Sequence, residues 1–393
     1  MGKRALVVGL GISGMATAIT LHRHGWQPVI VEKAPDRRKT GYFVLVYGAG
    51  RAAAGRLGIL EDMPNRAAEL ADVFSYDRLG NRSRTTSFDD LPNPPYRMLR
   101  TDVEEAAFAH LPADVEIRYS TSPTRIDQDP DGVDVEFDDG STERFDLVVG
   151  ADGLRSTVRR LAFGPDEDYL HPMSHVIAAF QLEGPLPGLA TEDMAMLLEP
   201  ARALWVFGFE GRKPTVMLTY RTDDVDAEFA EPPVTRLRKA FGPEPTGKML
   251  GEVLDQAQRT PSLLFDQPEQ VKMDRWSSGR VVLVGDSAWC VTLYAGMGVS
   301  AGLTGGDLLG TMLSKHPGDI RRALTEWEHQ LRPAIGHYQQ RGHAMRLWFN
   351  PHDRREMLVR KLFVDGGRLP VLGPVLNRQR ARNLAEFDRD VAA

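Results

Sequence analysis

Cysteine is nearly absent from this chain: Cys290 stands alone among 393 residues. A disulfide framework is thereby excluded, and so is a metal site built from clustered cysteines. A reducing, cytoplasmic setting fits. No apolar run approaches the length of a membrane span, so stable membrane insertion is not expected. The first strand starts so soon after Met1 that no room is left for a signal peptide. Internal repeats and low-complexity tracts are lacking too. The net charge of −6 argues against a nucleic-acid surface. What is left, 42% hydrophobic and 26% charged, is the composition of a soluble globular protein, long enough for two closely packed domains. Nothing in it specifies an oligomeric state.

The N-terminal segment says most. Ala5-Leu6-Val7-Val8 is a short buried strand that runs into Gly9-Leu10-Gly11-Ile12-Ser13-Gly14, a G-x-G-x-x-G turn. An alanine-rich helical pattern follows from Met15 to Arg23, and a second apolar run, Pro28 to Val31, ends in Glu32-Lys33. This is the strand–turn–helix–strand–acid unit of a dinucleotide-binding fold, with the acid about 20 residues beyond the glycines. Gly9 permits the tight turn, Gly11 lets backbone approach a pyrophosphate, and Gly14 lets helix pack on sheet. The helix N-terminus offers unpaired N–H groups to phosphate, and Glu32 is placed to accept from a ribose. These residues do not choose between NAD and FAD.

Further along, Gly41–Tyr47 reads as a strand and Arg51–Leu60 as a helix. A strand is expected near Val73–Tyr76, and a helix from about Leu99, capped by Thr101 or Asp102, to about His110. Val115–Thr121, Thr124–Gln128 and Gly132–Asp138 alternate between turn residues and predict a three-stranded antiparallel meander. Residues 170–270 carry aromatic-rich alternating strands, Val176–Gln181, Leu204–Phe209 and Thr215–Arg221, and an amphipathic helical stretch near Glu231–Gly251. Arg280–Asp286 returns to a buried strand, and Asp319–Ala393 reads as charged helices broken at Pro333, Pro351 and Gly366-Gly367.

Two distant glycine–acid sites select the cofactor. One is the stretch from Asp146 to Arg159 around Asp152-Gly153. The other is Gly285-Asp286-Ser287, followed by Ala295-Gly296-Met297-Gly298 at the head of an Ala/Gly-rich helix. With the opening glycines, these three motifs resemble the class A flavoprotein monooxygenases, the FAD-dependent aromatic hydroxylases, and are similar to their tetracycline-inactivating members. The resemblance covers residues 1 to about 330. It implies an α/β fold in which a Rossmann-like FAD-binding domain is interrupted by a mostly antiparallel substrate-domain sheet, with C-terminal helices. The implied FAD-binding parts are 1–72, 98–168 and 275–325, the substrate-domain parts 73–97 and 169–274, and the helical segment 326–393. The resemblance further implies that Gly9, Gly11, Ser13, Gly14, Glu32 and Lys33 hold the ADP half of FAD, with Arg38 near the adenosine or pyrophosphate. Arg100, in Arg-x-x-Val, would contact the flavin nucleotide. Asp152 and Gly153 would serve both FAD and NAD(P)H, and Asp286 the ribityl chain. Gly296 and Gly298 would open a helix whose dipole stabilises negative charge on reduced flavin.

The implied reaction uses NAD(P)H and O2 to hydroxylate a hydrophobic, aromatic or polycyclic small molecule, in secondary metabolism or antibiotic modification. Such chemistry is centred on the flavin and needs no metal and no side-chain nucleophile. Trp205, Phe207, Phe209, Met217 and Tyr220 are the candidate substrate wall; packing between sheet and helices is the plainer reading of any one of them. His171 and His175 are possible acid–base groups, with a surface or capping role the plainer reading. Cys290 reads as packing near the flavin helix, and Arg354–Arg389 as a solvated helical segment over the substrate domain. Two residues depart from the family pattern. Trp289 replaces a histidine, and Thr292-Leu293 stand where proline is usual, beside the flavin ring. The second departure leaves an FAD-dependent oxidase or dehydrogenase as an alternative, and a non-catalytic flavin-binding protein as another.

Overall fold

A computed structural model describes residues 2–37, 41–69, 71–85, 93–366 and 387–392. The strand Arg4–Val8 lies inside a six-stranded sheet. Across that sheet the order is Ser277–Ser278, Val281–Leu283, Leu147–Gly150, Arg4–Val8, Gln27–Glu32 and Glu116–Tyr119. All neighbours are parallel except the first pair. Parallel strands covered on both faces read as continuous apolar runs, and Ala5, Leu6, Val7, Val148, Val149, Val281 and Val282 are fully buried. Parallel direction also places the strands' carboxyl ends on one edge. Gly9, Ala151-Asp152 and Gly285-Asp286 therefore emerge side by side, although more than 130 residues separate each from the next.

A second, seven-stranded sheet carries Leu264–Asp266, His175–Gln181, Arg212–Arg221, Arg202–Phe209, Met194–Glu199, Val73–Tyr76 and Arg82–Arg84 in that order. It is antiparallel except where Met194–Glu199 meets Val73–Tyr76. Alternation gives it two apolar faces. One packs on the helices Pro233–Phe241 and Gly247–Arg259 through Leu237, Phe241, Leu250 and Leu254. The other, rich in methionine and aromatic rings, faces the first sheet's loops.

Several expectations are corrected. Glu116–Tyr119 joins the parallel sheet beside Gln27–Glu32, and the meander is instead Pro123–Gln128, Val133–Phe137 and Thr142–Phe145. The helix expected from Leu99 runs Arg100–Ala109, and Asp102 caps it from inside the first turn, accepting the Leu99 N–H at 2.9 Å and pairing with Arg66. The amphipathic stretch near residue 240 is two helices. Pro333 does not break the C-terminal helix: Ile320–Phe349 passes through it, anchored on both sides by buried Trp327, Leu331, Ile335 and Tyr338. The helix Arg354–Gly366 lies over the substrate sheet, its Arg360 reaching the Trp348 carbonyl and Met196 Sδ. The terminal residues 387–392 return to the first domain. There Phe387 is fully buried among Tyr47, His337 and Tyr338, and Asp388 accepts the Gly48 N–H at the start of Gly48–Leu57.

The helices Ile12–Arg23 and Gly298–Lys315 approach each other closely. Gly302, Gly306 and Gly310 form a bare stripe, four residues apart, against Ser13, Thr17 and Thr20. A methyl group on Gly306 would stand 2.8 Å from the Thr17 amide nitrogen, so backbone must move. By contrast, nothing lies within 4 Å of a Cβ at Gly336, in the long helix. Gly306→Ala is therefore expected to lower stability by about 1–3 kcal/mol through overpacking. Gly336→Ala is expected to raise it by about 0.5–1 kcal/mol. Opposite shifts of the denaturation midpoint check this pair; equal shifts would contradict the packing account.

Candidate active site

The glycine turn is built against its neighbour strand. Gly9 has φ +107°, and a Cβ there would press on the Ala151 carbonyl oxygen at 2.5 Å. Its own N–H donates to the Val31 oxygen at 2.8 Å. Gly11 precedes the helix Ile12–Arg23 and supplies no side-chain cap, so the first-turn N–H groups are left open. A Cβ on Gly11 would meet only Arg100 Nη2, at 3.9 Å. Gly14 packs its bare face against the Gly9 carbonyl, and Ser13 packs against Gly285 and Gly302. Glu32 ties the turn together: its carboxylate accepts from Leu10 N at 3.0 Å and Ala34 N at 2.9 Å. Lys33 is exposed beside it. Arg38 lies outside the described residues.

Ser287 stitches the two distant motifs. Its Oγ accepts from Gly153 N at 2.8 Å and donates to Asp152 Oδ1 at 3.2 Å. Asp152 also accepts from Ser156 Oγ, Thr157 N and Val158 N, and so fastens the helix Thr157–Ala162. Burial raises its pKa against those donors. Arg159, wholly buried, donates to the Ser287 and Leu154 carbonyls and pairs with Asp166. In this arrangement Asp152 orders the loop, and Gly153, with nothing within 4 Å of a Cβ, presents open backbone. No local sequence pattern marks Arg159 as this buttress.

Arg100 is the cation of the site. Pairing of Phe43–Val46 with Tyr96–Leu99 brings its N–H to the Tyr42 carbonyl at 2.9 Å. Its guanidinium reaches Glu104 at 2.9 Å and the Tyr42 hydroxyl at 3.2 Å. Burial opposes that charge, but Tyr42, Glu104 and Asp286 outweigh it and raise the pKa. Asp286 is held above the usual carboxylate range by burial, against the pull of Arg100 and a hydrogen bond from Cys290. Cys290 is a buried thiol pushed up by burial and by Asp286, as its packing role implies. Gly296 takes a left-handed φ of +68°, and Gly298 begins a helix with no side-chain cap and open space around its Cα. A second bare helix N-terminus thus stands beside the first.

The loop between them is strained and clamped. Thr292 has φ +70°, a conformation that costs a β-branched residue about 1–3 kcal/mol. Its Oγ1 accepts from Tyr294 N at 3.2 Å, and Tyr294 OH bonds Thr219 Oγ1 of the substrate sheet at 2.9 Å. Gly342 of the long helix comes so near that a Cβ would stand 2.7 Å from the Val291 carbonyl. Tyr294 and Thr219 were not singled out from sequence; no local pattern marks them.

Trp205, Phe207 and Met217 lie together on the face toward this loop, with Phe209 on the same side. Tyr220 does not join them: strand alternation turns it to the opposite face, where its hydroxyl donates to Glu228 at 2.7 Å. Phe43, overlooked in the sequence, stacks on Phe207 with centroids 4.0 Å apart and planes 10° from parallel. Trp205 stacks next to Phe207 and anchors its indole N–H on the Phe349 carbonyl at 2.9 Å. His175 is not a surface group. It is 2% exposed, its Nδ1 bonds the Met173 carbonyl, and burial lowers its pKa to about 4. His171 is exposed in an edge pairing. Among the described residues no group of three or more His, Cys, Asp or Glu is placed to hold a metal, and no helix is long and apolar enough to cross a membrane.

These parts suit a flavin dinucleotide. Two uncapped helix N-termini favour phosphate and flavin charge, the gap over Gly11 is capped by Arg100, and the half-buried carboxylate of Asp286 is close enough to Arg100 to interact with it. Comparison with known proteins agrees. The FAD binding domain family matches residues 3–323. An uncharacterised protein of Mycobacterium tuberculosis is 30% identical over 324 residues, covering 78% of this chain and 84% of its own. A flavin-dependent monooxygenase of Legionella longbeachae is 28% identical, over 86% of this chain and 87% of its own. The crystal structure of the tetracycline destructase Tet(51) superposes with a TM-score of 0.77 at 25% identity, over 96% of this chain and 98% of that one. The chain therefore belongs to the FAD binding domain family, as an FAD-dependent monooxygenase of the class A flavoprotein hydroxylase type.

Proposed function

We propose that this monooxygenase uses NAD(P)H and O2 to hydroxylate a hydrophobic, aromatic or polycyclic small molecule, as a cytoplasmic tailoring step in secondary metabolism or the modification of an antibiotic. One observation carries the reading: the Phe43–Phe207 stack joins the Arg100–Tyr42 cofactor side to the aromatic wall without a break. Phe207 and Trp205, with Met194, Met196 and Met217 around them, form an apolar, aromatic lining that suits an aromatic ligand, and methionine adapts to irregular outlines. The structural likeness to the tetracycline destructase Tet(51) points the same way.

The chain's own residues have separable roles in this reading. Gly9, Gly11, Ser13, Gly14 and Glu32, with the N-terminus of Ile12–Arg23, hold the ADP half of FAD. Arg100 neutralises its phosphate charge, and Asp286 engages the polar chain leading to the ring. When bound there, FAD would supply the redox chemistry that couples NAD(P)H and O2 to substrate hydroxylation. The N-terminus of Gly298–Lys315 carries about +0.5 of a charge and favours the anionic reduced cofactor. The wall excludes water and orients the substrate. Asp152 fixes the loop from which Gly153 meets the cofactors. The strained Thr292 loop is the feature that favours the second reading, an oxidase, because it stands where oxygen transfer would be shaped.

Arg100→Gln is expected to weaken FAD binding by about 1.5–3 kcal/mol, the worth of a charged hydrogen bond, with Arg100→Lys intermediate. Flavin-fluorescence titration of apoprotein reads this directly, and unchanged affinity would remove Arg100 from the site. A polycyclic phenol that stimulates NAD(P)H oxidation should gain labelled oxygen from isotopic O2. Hydrogen peroxide with unlabelled product would establish the oxidase instead. Trp205→Ala is expected to raise KM for that compound about tenfold, or about 1.4 kcal/mol, while kcat changes little. A fall in kcat alone would mean the indole is not part of the binding wall.

A further inference from the structure

Tyr47 stands where the second helix of the cofactor site opens. A Cβ on Gly296 would lie 3.7 Å from its ring edge and 4.0 Å from its hydroxyl. Its backbone N–H donates to Ser300 Oγ at 3.3 Å, in the first turn of Gly298–Lys315. Main chain and side chain of Tyr47 thus both border that bare N-terminus. The residue is buried, and a buried phenol needs polar partners. Among the described residues its hydroxyl has one, the guanidinium of Arg341. Arginine can only donate, so the phenol oxygen accepts and its own proton is free to be donated elsewhere. Burial holds the phenol above its usual pKa against the pull of Arg341, so that proton is present at neutral pH.

Arg341 is placed by the end of the chain. It projects from Ile320–Phe349, and its guanidinium lies 3.9 Å from the ring centroid of Phe387, which packs on Tyr47 at 5.3 Å. Asp388 fixes Phe387 by accepting from Gly48 N at 2.9 Å and Asn93 Nδ2 at 2.8 Å. Asp390 pairs with Arg56, which also holds Asp307 of Gly298–Lys315. Arg341 itself has no carboxylate partner among the described residues, and its Nε is buried without an acceptor. Burial therefore pushes its pKa down, with Tyr47 opposing. A cation left without a counter-charge beside an anion-binding helix end is costly unless a ligand supplies the charge.

We propose that the Tyr47 hydroxyl donates a hydrogen bond to the bound flavin, at the end met by the helix Gly298–Lys315, and that Arg341 polarises it. The inference rests on the FAD reading above. Tyr47 is then a cofactor-binding residue. Arg341 is a positioning residue that acts through it, held in place by residues 387–392. A hydrogen bond strengthens when its acceptor gains negative charge. The pair therefore favours reduced over oxidised flavin, adding a side-chain donor to the helix end beside it.

The test uses the FAD-loaded protein without substrate or oxygen. Reductive titration against a reference dye reads the flavin midpoint potential, and fluorescence titration of apoprotein reads affinity for oxidised FAD. Tyr47→Phe keeps the ring and removes only the hydroxyl. It is expected to lower the preference for reduced over oxidised flavin about tenfold, a fall of about 30 mV in the two-electron midpoint. Arg341→Gln should lower the midpoint in the same direction, and Arg341→Lys, which keeps the charge, should recover part of it. The double variant Tyr47→Phe with Arg341→Gln should fall no further than the lower of the two single variants, because the arginine acts through the phenol. Near-UV circular dichroism verifies that each variant is folded. Should Arg341→Gln fail to fold, Tyr47→Phe, one oxygen atom away from the natural protein, still decides. An unchanged midpoint in Tyr47→Phe overturns the assignment of Tyr47. Falls that add in the double variant overturn the role of Arg341. Natural protein that takes up no flavin overturns the cofactor reading instead.

Discussion

The glycine seam between Ile12–Arg23 and Gly298–Lys315 is the constraint on which the site depends. Gly302, Gly306 and Gly310 let two helices from opposite ends of the chain approach backbone to side chain. That contact, with Ser13 wedged against both Gly285 and Gly302, sets the two helix N-termini beside one another at the carboxyl edge of the parallel sheet. A single uncapped N-terminus is a weak anion site. Two of them, with Arg100 above the bare Gly11, form a chamber biased toward a long anionic ligand. The glycines act first on helix spacing, and the electrostatics follow.

The second sheet meets this chamber through groups of two kinds. Apolar contact runs from Phe43 to Phe207 and Trp205; polar contact runs from Tyr294 to Thr219 and on to Asn350. The first kind is tolerant of a sliding ligand, since stacked rings keep their contact over a range of offsets. The second is directional and fixes the Thr292 loop in a costly conformation that the loop alone would leave. A substrate seated on the sheet therefore lies beside a loop whose geometry is set from both domains. This also explains how proline can be replaced here: rigidity comes from the Tyr294 bond and the close approach of Gly342, not from a pyrrolidine ring.

The parts that were legible in the sequence are those whose signal is local. Gly9 to Gly14, Glu32, Asp152-Gly153 and Gly285-Asp286 announce turns at strand ends, and the strands before them are unbroken apolar runs. Their convergence follows from parallel pairing. Residues defined by tertiary placement were not legible. Tyr220 and Met217 look alike as apolar members of one strand, yet the odd and even positions face different cores. Glu116–Tyr119 has the alternation of a meander strand but is captured by the edge of the parallel sheet. Phe43 and Tyr294 matter because of partners 164 and 75 residues away, and Arg159 because burial forces its guanidinium onto carbonyls, one of them 128 residues away. Pro333 misled because a helix packed on both sides tolerates one missing N–H.

The two departures from the family pattern have opposite physical characters. Thr292 adds strain, and the surrounding structure is arranged to contain it. Trp289 adds none: it extends an existing aromatic cluster, with Trp276 at 4.7 Å and Trp327 at 5.7 Å, and the helix gives up a side chain at Gly305 to admit it. A histidine there would place a polar ring among apolar neighbours and require a partner. An indole needs only space, which Gly305 provides. The bare positions of Gly298–Lys315 thus serve two neighbours at once, Gly302, Gly306 and Gly310 the first helix and Gly305 the tryptophans. A residue with a side chain at any of them would move the N-terminus that the cofactor site requires.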